Sequence, residues 1–338
     1  MSPVDRNGVK IGFGCFGIPE ESVYHLIREA INVGYRHFDC AALYLNEDLI
    51  GKALGKCIDE GLVSRDDLFI TSKLPMNGMS PKWVKYFLEK SIKNLDCGYL
   101  DLYLIHAPFA VKYIADDQFY PVNPETGKLD ADLNTDYKIT WKILEQACDE
   151  GLTRTIGVSN FNENQLIDLL SSCRIKPSVL QNETHCYLQQ KALRLFCHQN
   201  EISYQSFAPL GSPKTAQESG HNVLLSDPIV YQLAEKYRVT CSQILIRWQQ
   251  QMNMTPIVGS DNVKQVRENI MFADLTLSPE DLSTIDGLNR DERIFYFDHI
   301  PGLTVTKLLD PVLFIHDNFD SHSQLNHSMV NHCQPLIN

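Results

Sequence analysis

The chain holds no apolar run approaching the ~18–20 residues needed to cross a bilayer, which excludes a simple membrane-spanning helix. It has no excess of basic charge. Thirty Lys and Arg stand against 42 Asp and Glu, a net charge of −12, which argues against nucleic-acid or anionic-membrane partners. The ten cysteines (15, 40, 57, 97, 148, 173, 186, 197, 241 and 333) include no Cys-x-x-Cys pair, and no secretory segment precedes the first helix. Reduced thiols and a cytoplasmic location are the expectation, with the Asn182-Glu183-Thr184 sequon unmodified. No Gly-x-Gly-x-x-Gly follows the first strand, so a Rossmann dinucleotide site is not expected. Neither an internal repeat nor a linker is visible.

What is present suits a globular enzyme. Apolar residues make up 43% of the chain and charged residues 21%, enough to fill a core. A length of 338 residues fits two domains or one large α/β barrel. Strand and helix patterns alternate: strands at 11–14, 35–38, 68–74, 100–106, 153–157, 179–181, 202–207 and 256–258, with helices at 20–33, 47–57, 81–95, 141–150, 162–171 and 189–199 between them. Two more helices surround the last strand, and one at 278–288 closes the outer layer. This alternation predicts parallel βαβ units. Residues 107–136 lack a period and exceed the usual ~12–15 residues of an uncommitted connection, so a functional loop is expected there. From Asp298 onward periodicity is lost. The histidines at 316, 322, 327 and 332 are irregularly spaced in a polar tail and predict no metal site.

Chemistry-bearing residues stand at strand ends. Gly34 to Tyr44 runs a buried strand pattern into Asp39, with Tyr44 one short turn on. Phe69 to Leu74 places Lys73 at its end, and Leu100 to His106 ends in a histidine. Taken singly, each is readily a turn aspartate, a core-edge tyrosine, a solvated lysine or a structural histidine. Four such groups on three successive strands converge on one mouth if the sheet closes, because catalytic groups collect at the carboxyl ends of parallel strands.

At these residues the chain resembles the aldo-keto reductase family, from about Gly8 to about Phe319. The family's Gly-x-Arg-x-x-Asp-x-Ala-x-x-Tyr signature stands as Gly34, Arg36, Asp39, Ala41 and Tyr44, followed in order by the Lys73, His106 and Val158-Ser159-Asn160-Phe161 segments. The resemblance implies a single eight-stranded parallel β/α (TIM) barrel over residues 1–320, with an amino-terminal hairpin around Asn7-Gly8, two extra helices, long loops over the C-terminal mouth and a polar tail at 321–338. It implies a monomeric, metal-free oxidoreductase of the alcohol dehydrogenase (NADP+) type, reducing aldehydes or ketones with a nicotinamide cofactor. Tyr44 is then the general acid, Lys73 and Asp39 tune it, and His106 orients the carbonyl. A phenol has an ordinary pKa near 10, so the Lys73 ammonium is expected to lower it, and Asp39 to keep the buried lysine charged.

By the same resemblance Ser159, Asn160 and Gln181 bind the carboxamide, Phe207 replaces the usual stacking tyrosine, and Leu210 and Ser212 lie in the loop over the pyrophosphate. Gly259, Ser260, Gln265, Glu268 and Asn269 correspond to the adenine and 2′-phosphate end. There the chain departs from the family, with Gly259 and Gln265 where a lysine and an arginine usually stand, and Lys264 as a compensating cation from a neighbouring helical position. NADP(H) is the expected cofactor, with NAD(H) used comparably or better. Phe16, Pro75 and Ala107 replace tryptophans common in narrow sites, with Phe109, Phe119, Phe314 and Phe319 as outer wall, so bulky apolar carbonyl compounds, steroid-like or isoprenoid, are expected. The rival reading is a non-catalytic barrel serving as a binding or regulatory subunit. A metal-dependent hydrolase would need more strand-end ligands than Asp39 and His106.

Overall fold

The computed structural model describes residues 11–272 and 274–295. The hairpin expected at Asn7-Gly8, Phe314, Phe319, the tail and its histidines lie outside the described residues. Eight strands form a closed, wholly parallel barrel in sequence order: β1 (Gly12–Gly14), β2 (His37–Asp39), β3 (Phe69–Leu74), β4 (Leu100–Ile105), β5 (Thr153–Ser159), β6 (Val179–Glu183), β7 (Ser203–Phe207) and β8 (Met254–Gly259). β1 closes the ring by pairing Phe13 with both Phe38 and Val258. This is the TIM-barrel architecture expected from the sequence.

The helices form where their apolar faces repeat. In α1 (Val23–Val33), Val23, Leu26, Ile27, Ala30 and Ile31 are buried, and Gly34 at φ 111° ends the helix by donating to the Ala30 and Ile31 carbonyls. Glu20–Ser22 is a single 3-10 turn, so α1 proper starts later than its sequence pattern. α2 (Glu47–Asp59) and α3 (Pro81–Leu95) follow. Ser80 sits at the N-cap of α3 without a side-chain bond, and Pro81, which has no N–H to satisfy, opens the helix instead. α4 (Tyr137–Asp149) starts four residues before the expected 141 because Asp136 accepts from Lys138 N and fixes its end there. α5 (Glu163–Leu170) is set by a reciprocal capping box between Asn162 and Gln165. α6 (Lys191–Gln199) starts two residues after its expected 189, behind Gln190 in the left-handed region at φ 50°, and a short α7 (Pro213–Glu218) follows β7. α8 (Pro228–Tyr237) and α9 (Cys241–Gln251) precede β8, while α10 (Val263–Glu268) and α11 (Pro279–Asp286) complete the outer layer.

Below the mouth the barrel interior is filled. His37 bonds Thr71 Oγ1 at 3.0 Å, and a Cβ at Gly12 would meet Ile257 Cδ1 at 2.5 Å and His37 Nδ1 at 2.9 Å. The glycine is what lets these side chains occupy the axis. The long connection from β4 to α4 builds a small core of Ala107, Phe109, Val111, Phe119 and Leu129 against Met76 of the turn between β3 and α3. Asn77 Nδ2 donates to the Ala115 and Gln118 carbonyls, and Asp116 accepts from Lys90, Tyr86 and Tyr113. The loop is thus a fastened structure that keeps its place beside the strand ends.

Candidate active site

The closed barrel brings Asp39, Tyr44, Lys73 and His106 together at its carboxyl end. Asp39 ends β2, and Lys73 stands on β3, where its neighbour on β4 is Leu104. Lys73 Nζ donates to Asp39 Oδ1, to the Cys40 carbonyl at 3.0 Å and to the Tyr44 hydroxyl oxygen at 2.9 Å. Three acceptors use the three ammonium protons. Because the lysine donates to the phenol oxygen, the phenol's own proton is left to point elsewhere. The His106 ring stands edge-on to Tyr44 at 6.0 Å, and its buried Nδ1 has no partner among the described residues.

Burial and charge compete at this cluster. Burial pulls the Lys73 ammonium down, yet the Asp39 carboxylate and Tyr44 more than offset it, and the net shift is upward. Lysine therefore stays charged, as expected. Tyr44 departs from expectation: burial pushes its phenol up to about 12, and Lys73 cancels only part of that rise. The consequence is a fully protonated phenol at neutral pH. His106 is driven well below its ordinary 6.5 by burial and then by Lys73, so it is a neutral imidazole. The set can deliver a proton from a phenol beside a fixed cation and offer a neutral ring nitrogen to the same acceptor.

The carboxamide candidates lie on adjoining strand ends. Ser159 Oγ donates to the Gln181 backbone carbonyl at 2.8 Å. Asn160, in the left-handed region at φ 61°, turns the chain off β5 and sends Nδ2 to the His106 carbonyl at 2.9 Å and to Ser159 Oγ at 3.2 Å. Gln181 Nε2 donates to Asp39 Oδ2 at 2.7 Å and to Gln205 Oε1 at 2.9 Å. Gln205 escaped the sequence reading. It lies between Tyr204 and Ser206 on β7, and nothing in that run of sequence marks it.

These groups pair donors with acceptors as a neutral carboxamide requires, and Phe207 is half-buried with Phe295 edge-on at 5.8 Å, leaving an apolar face for stacking. The residues fit a nicotinamide. Leu210 and Ser212 are half-buried on the following loop. At the far end Gly259 and Gln265 are exposed, Ser260 Oγ donates to Gln265 Oε1 at 3.0 Å, Lys264 is exposed, Glu268 is half-buried and Asn269 buried. Arg267, the one arginine on α10, pairs with Glu29 instead.

The substrate candidates separate into two groups. Phe16 is 65% exposed and stands edge-on to Tyr44 at 5.1 Å. Pro75, Ala107, Phe109 and Phe119 are buried, the last three inside the loop's own core, so they back the wall rather than face the opening.

A profile of the Aldo/keto reductase family matches residues 10–290. The chain is 40% identical over 298 residues to Aldo-keto reductase family 1 member A1 of Xenopus tropicalis, covering 87% of this chain and 88% of that one. It is 39% identical over 300 residues to Prostaglandin F synthase 2 of Bos taurus, covering 87% and 91%. The solved aldose reductase of Schistosoma japonicum superposes with a TM-score of 0.80 at 34% identity, covering 89% of this chain and 96% of that one. By its barrel, its strand-end residues and these relatives, the chain belongs to the aldo/keto reductase family, the nicotinamide-dependent reductases of small carbonyl compounds.

Proposed function

We propose that Tyr44 protonates the carbonyl oxygen of a bulky, apolar aldehyde or ketone, in an enzyme of the alcohol dehydrogenase (NADP+) type. The observation that carries this reading is the Lys73 ammonium held between Asp39 and the Tyr44 oxygen. The cofactor, when bound, supplies the hydride. The residues do the rest. Lys73 stabilises the phenolate left after proton transfer, Asp39 keeps Lys73 charged in a buried site, and neutral His106 donates to the carbonyl oxygen and orients it. Ser159, Asn160 and Gln181 hold the carboxamide, and Phe207 stacks on the ring.

Substrate class rests on the open side of the mouth, where Phe16 offers an exposed aromatic face beside Tyr44. A large ketone or isoprenoid aldehyde should show higher kcat/KM than glyceraldehyde; the reverse order contradicts this reading. At the phosphate end Gln265 is held by Ser260 and supplies no charge. NADPH is used, and NADH binds comparably or better. Gln265→Arg should raise NADPH affinity by about tenfold while leaving NADH within about twofold, because a guanidinium adds a charge-assisted fork. Isothermal titration with both cofactors decides it, and a strong NADPH preference in the unmodified protein contradicts it.

The chain acts as a cytoplasmic monomer in this reading. A non-catalytic barrel remains the second reading; the assembled Asp39, Tyr44, Lys73 and His106 cluster weighs against it, and loss of NAD(P)H absorbance with a broad aldehyde panel tests it.

A further inference from the structure

We infer that Gln205 is a positioning residue for the nicotinamide carboxamide, acting through Gln181. The inference rests on the cofactor reading above and names a residue outside it. Its starting point is Asp39, whose carboxylate can only accept. Gln181 must therefore turn its amino group, not its carbonyl, toward Asp39 Oδ2, 2.7 Å away. One proton of that amino group is then committed to Asp39. The other is donated to Gln205 Oε1 at 2.9 Å.

With both protons spent below the mouth, Gln181 has its carbonyl Oε1 left, and among the described residues that atom accepts no hydrogen bond. It is an acceptor waiting for a donor, and a carboxamide N–H is one. Were Gln205 unable to accept, the second Gln181 proton would be left unpaired in a buried site, and the amide would gain by turning toward whatever acceptor it could reach. Asp39 and Gln205, one acceptor for each amino proton, together fix which end of Gln181 meets a ligand, and Gln205 is the half of that hold outside the catalytic cluster.

Gln205 itself shows the bias of a residue kept for its carbonyl. It is 1% exposed, in register with Gln181 on β6 and Thr255 on β8, and its Nε2 is buried with no hydrogen-bond partner among the described residues. A buried, unpaired amino group costs stability. A residue selected for packing would avoid that cost with an apolar side chain of the same shape. Gln181 links two functions at one place, since it holds Asp39 with the proton next to the one it gives Gln205.

The test compares two ligands on the intact protein by titration calorimetry: NADP+ and 2′-phospho-ADP-ribose, which lacks the nicotinamide. Unmodified protein should bind the dinucleotide more tightly than the fragment; no difference between them sinks the cofactor reading itself. Gln205→Met should lower dinucleotide affinity by about tenfold, the scale of one lost hydrogen bond to a buried group, with fragment affinity within about twofold. Its melting temperature should change little, because the unpaired Gln205 amino group is gone while one Gln181 proton loses its acceptor. Gln181→Met should lose a similar factor, and the double variant no more than Gln181→Met alone, since one residue acts through the other. Unchanged dinucleotide preference in Gln205→Met, an equal loss for both ligands, or additive losses in the double variant overturns the proposal. Gln205→Leu, read the same way, serves if the methionine variant does not fold, and failure of both to fold shows a structural role and also overturns it.

Discussion

A buried histidine illustrates how single residues carry measurable consequences here. His37 sits in the barrel interior, where burial lowers its pKa from 6.5 to about 4 and the effects of Asp39 and Lys73 are smaller. The unfolded chain takes up a proton below 6.5 that the folded chain refuses until about 4. Stability is therefore intact above 6.5 and falls across that window as pH drops, by on the order of 3 kcal/mol for this group once both forms are protonated. Melting temperature against pH should show that fall, and His37→Asn should flatten part of it; an identical slope in the variant contradicts the assignment. His106 is pushed down too, so the pH profile of kcat/KM should carry no break near 6.5 from it. The strand-end residues were legible because an apolar run that stops on Asp39, Lys73 or His106 leaves a polar group without a packing reason. Their acidities were not. Whether Lys73 or burial governs Tyr44 depends on how much of the phenol's surroundings are apolar, and that is set by segments far apart in sequence.

Elements behave more simply than residues, since their patterns are local. α1 could be read from Val23, Leu26, Ile27, Ala30 and Ile31 and from the glycine that ends it, whereas α4 began earlier than its apolar period because Asp136 supplied a cap. The 107–136 connection was recognisable as exceptional only by length and lack of period. Its order comes from contacts with α3 and with itself, of which Asp116 is the centre: Lys90, Tyr86 and Tyr113 all donate to it, while Tyr113 stacks on Trp83 at 3.8 Å. Asp116→Ala leaves three donors to water and should loosen the loop by about 1 kcal/mol, about a fivefold rise in amide exchange within 107–136 and none in the barrel strands. Exchange unchanged in that loop would mean its apolar core of Phe109, Phe119 and Leu129 suffices alone.

Closure of the whole molecule is what turns separate strand ends into one site. β1 and β8 meet through Gly12 with Ile257, Phe13 with Val258 and Gly14 with Gly259, and only then do groups 142 residues apart, Asp39 and Gln181, share a hydrogen bond. Such a pairing has no sequence signature, so Gln205 stayed hidden while the barrel did not. The proposed role of Tyr44, a proton donor beside a bound nicotinamide, depends on this convergence. Tyr44→Phe isolates that role, because the ring and its packing stay while the proton and its lysine bond go. NAD(P)H oxidation with an aldehyde panel should fall by at least about 10²-fold, as for loss of a general acid, while dinucleotide affinity by calorimetry stays within about threefold. Turnover persisting at the original rate would mean that another group supplies the proton.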